Sequence, residues 1–224
     1  WPSSPWGDEM RHPVAALGIA LAVSSAHAQE VAAPAANASQ EAQPPTWNFS
    51  LAGYWNMPRQ EQSYLSAIAI AERDKLHLEA RVNYEAMHAQ SAFVGWSFAG
   101  GEAFTYKVTP IIGFAMGSIH GVIPGLEASL AAYKFDYYIE AEYLTGSGTQ
   151  TPSYLYAWSE LGYRPVDWLR LGFVMQRTRI YGGDREFQRG GLVQLTFKNV
   201  TVGCYWFNPG SSEQVVMTNL TVSF

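Results

Sequence analysis

Charged residues set two apart are the chemical signature of this chain. Glu79 and Arg81 stand so in LHLEARV, and Glu140 and Glu142 in YYIEAEY. Glu85, Glu127, Glu160, Lys107, Arg170 and Lys198 occupy the same kind of position, each flanked by apolar or small residues. A spacing of two puts side chains on one face of a β-strand, so these charges share a face and their apolar neighbours share the other. A tight turn near Lys134 sets Glu127 opposite Glu140 or Glu142. Facing carboxylates on neighbouring strands repel unless a cation, a proton or a base answers them. Arg81, arriving from across the fold, and Arg170, brought beside Glu160 by a hairpin centred on Pro165, are the expected answers. The group Glu79, Arg81, Glu127, Glu140, Glu142, Glu160 and Arg170 reads as a constriction that attracts cations or orients a polar solute. The same residues also read as a structural ion-pair network.

Other chemistry is sparse. Beyond residue 28 the histidines are His77, His88 and His120; His120 is two residues from Ser118 and His88 three from Ser91, with no acid partner evident for a Ser–His nucleophile. Cys204 is the single cysteine, so it makes no internal disulfide and reads as an inert small side chain that is buried or faces lipid. No paired metal-ligand spacing or phosphate-binding glycine loop occurs, and no cofactor is expected. The net charge of −5 gives no basic excess for nucleic acid.

The elements that position the charges are short alternating runs, twelve by count: residues 46–57, 64–72, 75–87, 91–99, 104–117, 122–133, 136–145, 154–163, 168–181, 187–198, 200–207 and 214–224. Ten strands would follow if the weakly alternating first or second run belongs to a neighbour. Runs of about 9–11 residues suit a tilted strand that crosses a bilayer. Tight connections, such as Arg73-Asp74 and Lys198-Asn199, alternate with longer ones rich in Gly, Pro and Ser. Arg or Lys on a lipid-facing wall at mid-depth costs about 2–4 kcal/mol. The charged face must therefore point into a lumen. This places Leu76, Leu78, Ala80, Val82 and Tyr84 outward with His77, Glu79, Arg81, Asn83 and Glu85 inward. Arg177, Arg179, Arg185 and Arg189 crowd the connection between the ninth and tenth runs, with Asp184 and Glu186. A guanidinium fork matches phosphate, so these four are candidates for contact with lipopolysaccharide.

Residues 1–28 read as an upstream extension to Glu9 followed by an export signal: Met10-Arg11-His12, a ten-residue apolar run from Val14 to Val23, and Ala26-His27-Ala28 at the cleavage position. That run is half of the roughly 20 residues a membrane helix needs. Residues 29–45, rich in Ala, Pro and Gln, read as a disordered periplasmic leader, and residues 46–224 as one all-β domain. With 48% hydrophobic and 14% aromatic residues and no helical span, the expected fold is a closed antiparallel transmembrane β-barrel. Trp47, Phe104, Tyr106, Tyr143, Tyr163, Trp206 and Phe224 sit near strand ends, where amphipathic rings meet headgroups.

Signal peptide, alternating strands, short turns and the terminal Phe224 together resemble the Gram-negative outer-membrane β-barrel proteins over residues 46–224. Twelve-stranded monomeric channels are the nearest in size. The resemblance implies that Phe224, with Leu220 and Val222, is an assembly signal read by the barrel assembly machinery. The reading favoured for function is a narrow passive channel in the outer membrane for small polar solutes or ions, mildly cation-preferring. The alternatives are a closed barrel whose outer loops bind lipopolysaccharide and, below that, a lipid hydrolase at the membrane rim.

Overall fold

The computed structural model describes residues 46–146, 152–181 and 185–224. The export-signal and leader expectations for residues 1–45 lie outside them. Thirteen strand segments follow in chain order: β1 Asn48–Pro58, β2 Tyr64–Arg73, β3 Leu76–Val82, β4 Ala89–Trp96, β5 Phe98–Gly100, β6 Phe104–Gly117, β7 Gly121–Ala132, β8 Phe135–Gly146, β9 Tyr154–Val166, β10 Leu169–Ile180, β11 Arg185–Phe197, β12 Val200–Phe207 and β13 Val215–Ser223. Every pairing is antiparallel between neighbours in sequence, and β1 pairs with β13 to close the wall. The result is a closed all-β barrel of twelve staves.

The twelfth stave is recovered because β4 and β5 are one strand interrupted. Both pair with β6 in a single register, Gly95 with Ile111 and Phe98 with Val108. That register sets Trp96 opposite Pro110, which has no N–H to donate to the ladder. Inside the gap the Ser97 and Thr109 hydroxyls hydrogen-bond at 2.9 Å.

The barrel seam is backbone and aromatic. Ser50 faces Ser223 and Pro58 faces Val215 along it. At its end the Phe49 amide donates to Phe224 O at 2.7 Å and the Phe224 amide to Phe49 O at 2.9 Å, with the two rings stacked at 5.8 Å. Both described ends of the chain thus lie at the barrel end that carries the tight turns, Asp74-Lys75, Tyr133-Lys134, Asp167-Trp168 and Lys198-Asn199. Asp74, Tyr133 and Lys198 take left-handed φ values of 54° to 55° there, the geometry that narrow hairpins require.

The period-two pattern sorts the side chains as the lipid argument demands. Outward residues such as Leu51, Ile112, Leu126, Leu171, Phe173, Phe197 and Leu220 are exposed, while the alternating residues are buried in the lumen. An apolar belt around the whole wall is far larger than a water-soluble monomer exposes. Phe104, Tyr106, Tyr163, Trp206 and Phe224 stand on this exposed surface.

Three expectations are corrected. Strand β3 ends at Val82, because Asn83 adopts φ 54° and its side chain turns away to bond Leu65 O at 2.9 Å. Parity is lost at that residue, so Tyr84 lies inside, fully buried, and Asn83 does not. Lys198 is an exposed turn residue and not part of the inner face. The four arginines belong to strands β10 and β11 and not to the connection between them.

Ile112 sits midway along β6 on the outer wall. Ile112→Arg should therefore destabilise the barrel by about 2–4 kcal/mol, measured as the denaturant midpoint of folding into lipid vesicles.

Candidate functional site

Inward alternation on β3, β7 and β8 aims four carboxylates at one guanidinium. Arg81 Nε donates to Glu79 Oε1 at 2.6 Å, and its Nη1 lies 2.8 Å from Glu142 Oε1 and 3.5 Å from Glu140 Oε1. Its Nη2 is 3.9 Å from Glu127. Glu127 and Glu140 are direct cross-strand partners, the first of the two registers that the sequence allows. A fifth acid, Glu85, reaches Nη1 at 3.4 Å from the stretch that turns inward after Asn83. Tyr84 and Phe93 sandwich the guanidinium, their ring centroids 4.3 and 4.2 Å from its carbon. Such faces favour a planar cation. Tyr84 and Tyr138 hydroxyls donate to the two oxygens of Glu140, at 2.7 and 3.3 Å.

The cluster continues toward the tight-turn end. His77 is sandwiched between Glu72, at 2.8 Å from Nδ1, and Glu79, at 3.3 Å from Nε2. Lys107 Nζ contacts both Glu72 oxygens at 2.8 Å. His77, Glu79 and Glu127 stand close enough together to share a cation, though each already has protein partners.

Arg170 organises a second cluster on β8 to β11. Its Nε donates to Asp136 Oδ1 at 2.8 Å, its Nη1 to Glu160 and to Gln194 Oε1 at 2.9 Å. Gln194 in turn donates to the Tyr205 hydroxyl at 2.7 Å, and the Trp158 indole to Glu160 at 3.1 Å. The pairing of β9 with β10 shifts register between Leu169 and Leu171, beside Arg170. Gly162 makes the room: a Cβ there would collide with Arg170 and with Asp136. Trp158, edge-on to Tyr205 at 5.8 Å and Phe207 at 5.5 Å, fills the space beside the cluster.

No family model and no curated protein matches the sequence. Among solved structures, a KdgM porin superposes with a TM-score of 0.59 at 11% identity, covering 78% of this chain and 99% of that one. A KdgM porin in complex with disordered oligogalacturonate gives 0.56 at 10% identity over 78% and 99%. A NanC porin gives 0.52 at 9% identity over 79% and 98%. The fold is a porin fold.

Within it, all seven residues singled out from the sequence, Glu79, Arg81, Glu127, Glu140, Glu142, Glu160 and Arg170, lie on the inner wall and are buried. They form two clusters and not one ring, and β8 serves both: Glu140 and Glu142 face Arg81, whereas Asp136 faces Arg170. Asp136 was missed, although it shares the parity of Glu140. His77 and Glu72 were missed as partners. The inward aromatics Tyr54, Tyr84, Tyr156, Trp158 and Tyr205 were missed too, because searching for charges ignores rings that carry a polar edge. Cys204 faces outward and is partly exposed.

Removing the hub cation strands several buried carboxylates. Arg81→Met should cost about 3–5 kcal/mol, read from chemical denaturation of the vesicle-inserted barrel.

Proposed function

We propose that the protein is a passive channel of the outer membrane, admitting small polar solutes or ions with a mild preference for cations. The observation that carries this reading is the surplus of carboxylates on the inner wall. Glu72, Glu79, Glu85, Glu127, Glu140 and Glu142 crowd around Arg81, Lys107 and His77. A barrel whose interior served packing alone gains nothing from this, since desolvating charges costs more than apolar filling of the same volume. A one-signed surplus in a low-dielectric tube attracts the opposite ion. Farther toward the long connections, the amides of Gln176 and Gln188 face each other on the inner wall. Gln176 makes no side-chain hydrogen bond among the described residues, and both of its amide atoms are buried. The porin fold agrees with a channel.

The solute class proposed here differs from that of the neighbour in complex with oligogalacturonate, a carboxylate-bearing sugar. An anionic sugar would be repelled by the carboxylate surplus here. Outer-membrane residence is supported by the apolar belt and by the export-signal reading of residues 1–28.

A second reading is a barrel that does not conduct. It is favoured by the depth at which the inner wall is filled: Arg81 and Arg170 are each 1% exposed, and Glu140, Trp158 and Tyr205 are 0% exposed.

Planar-bilayer recording separates the two. The channel reading expects unitary conductance, a reversal potential displaced toward the cation potential under a salt gradient, and a reduced displacement in Glu140→Gln. A silent barrel, or selectivity unchanged by Glu140→Gln, overturns it.

A further inference from the structure

Alternation on β10 and β11 places Arg177, Arg179, Arg185 and Arg189 on the exposed outer wall, at the barrel end opposite the tight turns. They are neighbours: Arg179 is the cross-strand partner of Arg185, and Arg177 and Arg189 follow along the same pair of strands. Two arginines directly opposite repel. Among the described residues no acid forms an ion pair with any of the four. Cations massed on the outer surface of this wall are best answered by an anion held beside it.

The same strands carry a groove on the side toward the tight turns. It is lined by Leu171, Phe173, Gly191, Val193, Cys204 and Trp206 among others and has a volume of about 580 Å³. Gly191 forms part of its floor. A Cβ there would meet nothing nearer than Gly172 O at 3.8 Å, so space is left that a larger side chain would fill. Phe173, whose cross-strand partner is Gly191, stands 72% exposed as one bank. Arginines and groove share one face: Arg189 and Gly191 are two residues apart on β11, and Arg177 and Phe173 four apart on β10, with Met175 between them.

The geometry points to a specific site on the outer wall for a phosphorylated, acylated glycolipid, lipopolysaccharide, with its phosphates on the four arginines and an acyl chain along the groove past Gly191. The assignment rests on the outer-membrane part of the proposed function and is indifferent to whether the lumen conducts. A guanidinium fork binds phosphate bidentately, and an acyl chain supplies what a free anion cannot, apolar surface to cover the groove.

The test is native mass spectrometry of the full-length barrel, purified in detergent, titrated with lipid A. Lipid A should bind about tenfold or more tightly than its dephosphorylated form, since charge-assisted pairs carry the difference. The R177Q/R179Q/R185Q/R189Q variant should lose that preference, and Gly191→Leu should lower affinity for both forms. Equal binding of the two lipids by the unaltered protein overturns the proposal, without relying on any variant. Displacement of lipid A by inorganic phosphate at equal concentration would make the arginines a free-anion site and overturn the lipid assignment. Unchanged binding in Gly191→Leu would remove the groove from it. Channel recordings in the same preparations separate this outcome from that of the transport reading.

Discussion

A sheet surrounded by hydrocarbon can leave no edge, because an unpaired backbone amide or carbonyl has no water to turn to. The two places where this chain comes nearest to violating that rule explain much of its local sequence. At the seam, the Phe49 and Phe224 backbones exchange both hydrogen bonds and their rings stack over the junction. At Pro110 the ladder to the fourth stave lapses for want of an N–H, and a hydroxyl pair, Ser97 and Thr109, supplies an alternative on the watery side. Closure in turn fixes an interior volume, and what fills it decides the chemistry.

That interior is governed by two guanidinium groups of unlike surroundings. Arg81 is held by rings on both faces and by carboxylates from β3, β8 and the inward-turned stretch after Asn83. Arg170 is held edge-on by Asp136 and Glu160, and Arg164, 3.4 Å from Asp136, balances the group, with an amide and a phenol extending the chain of hydrogen bonds. Excess negative charge therefore accumulates on one side of the lumen. Beside the Arg170 group the wall is filled by Trp158, Tyr205 and Phe207.

Much of this is legible in the sequence, because the cost of a charge in lipid converts a two-residue period into an inside and an outside. The reasoning held wherever the strand was regular, as at Glu127, Glu140 and Glu142, and failed where the period broke. Nothing in the local sequence marks Asn83 as the point where β3 turns, beyond asparagine's tolerance of the left-handed region, and with it Tyr84 changed sides. Lys198 kept the right parity but had already left the strand for a hairpin. The four arginines were expected to crowd the connection between the ninth and tenth runs, although only Arg185 lies outside those runs, and the ladder continues through them to Ile180 and from Arg185. Arg81 was expected to answer Glu127, Glu140 and Glu142, and Arg170 to sit beside Glu160, as their contacts have it; Asp136 as a further partner of Arg170, and Glu85 as one of Arg81, were not legible.

Strand β8 also bears on how the wall chooses its alignment. Because Asp136, Glu140 and Glu142 all project to one side of it, sliding this stave by a single residue against β7 or β9 would thrust three acids into oil and draw Tyr137, Ile139 and Ala141 into the bore. Misthreaded pairings are thus strongly penalised at the centre of the molecule, and the electrostatics of the interior double as a proofreading device for its own construction.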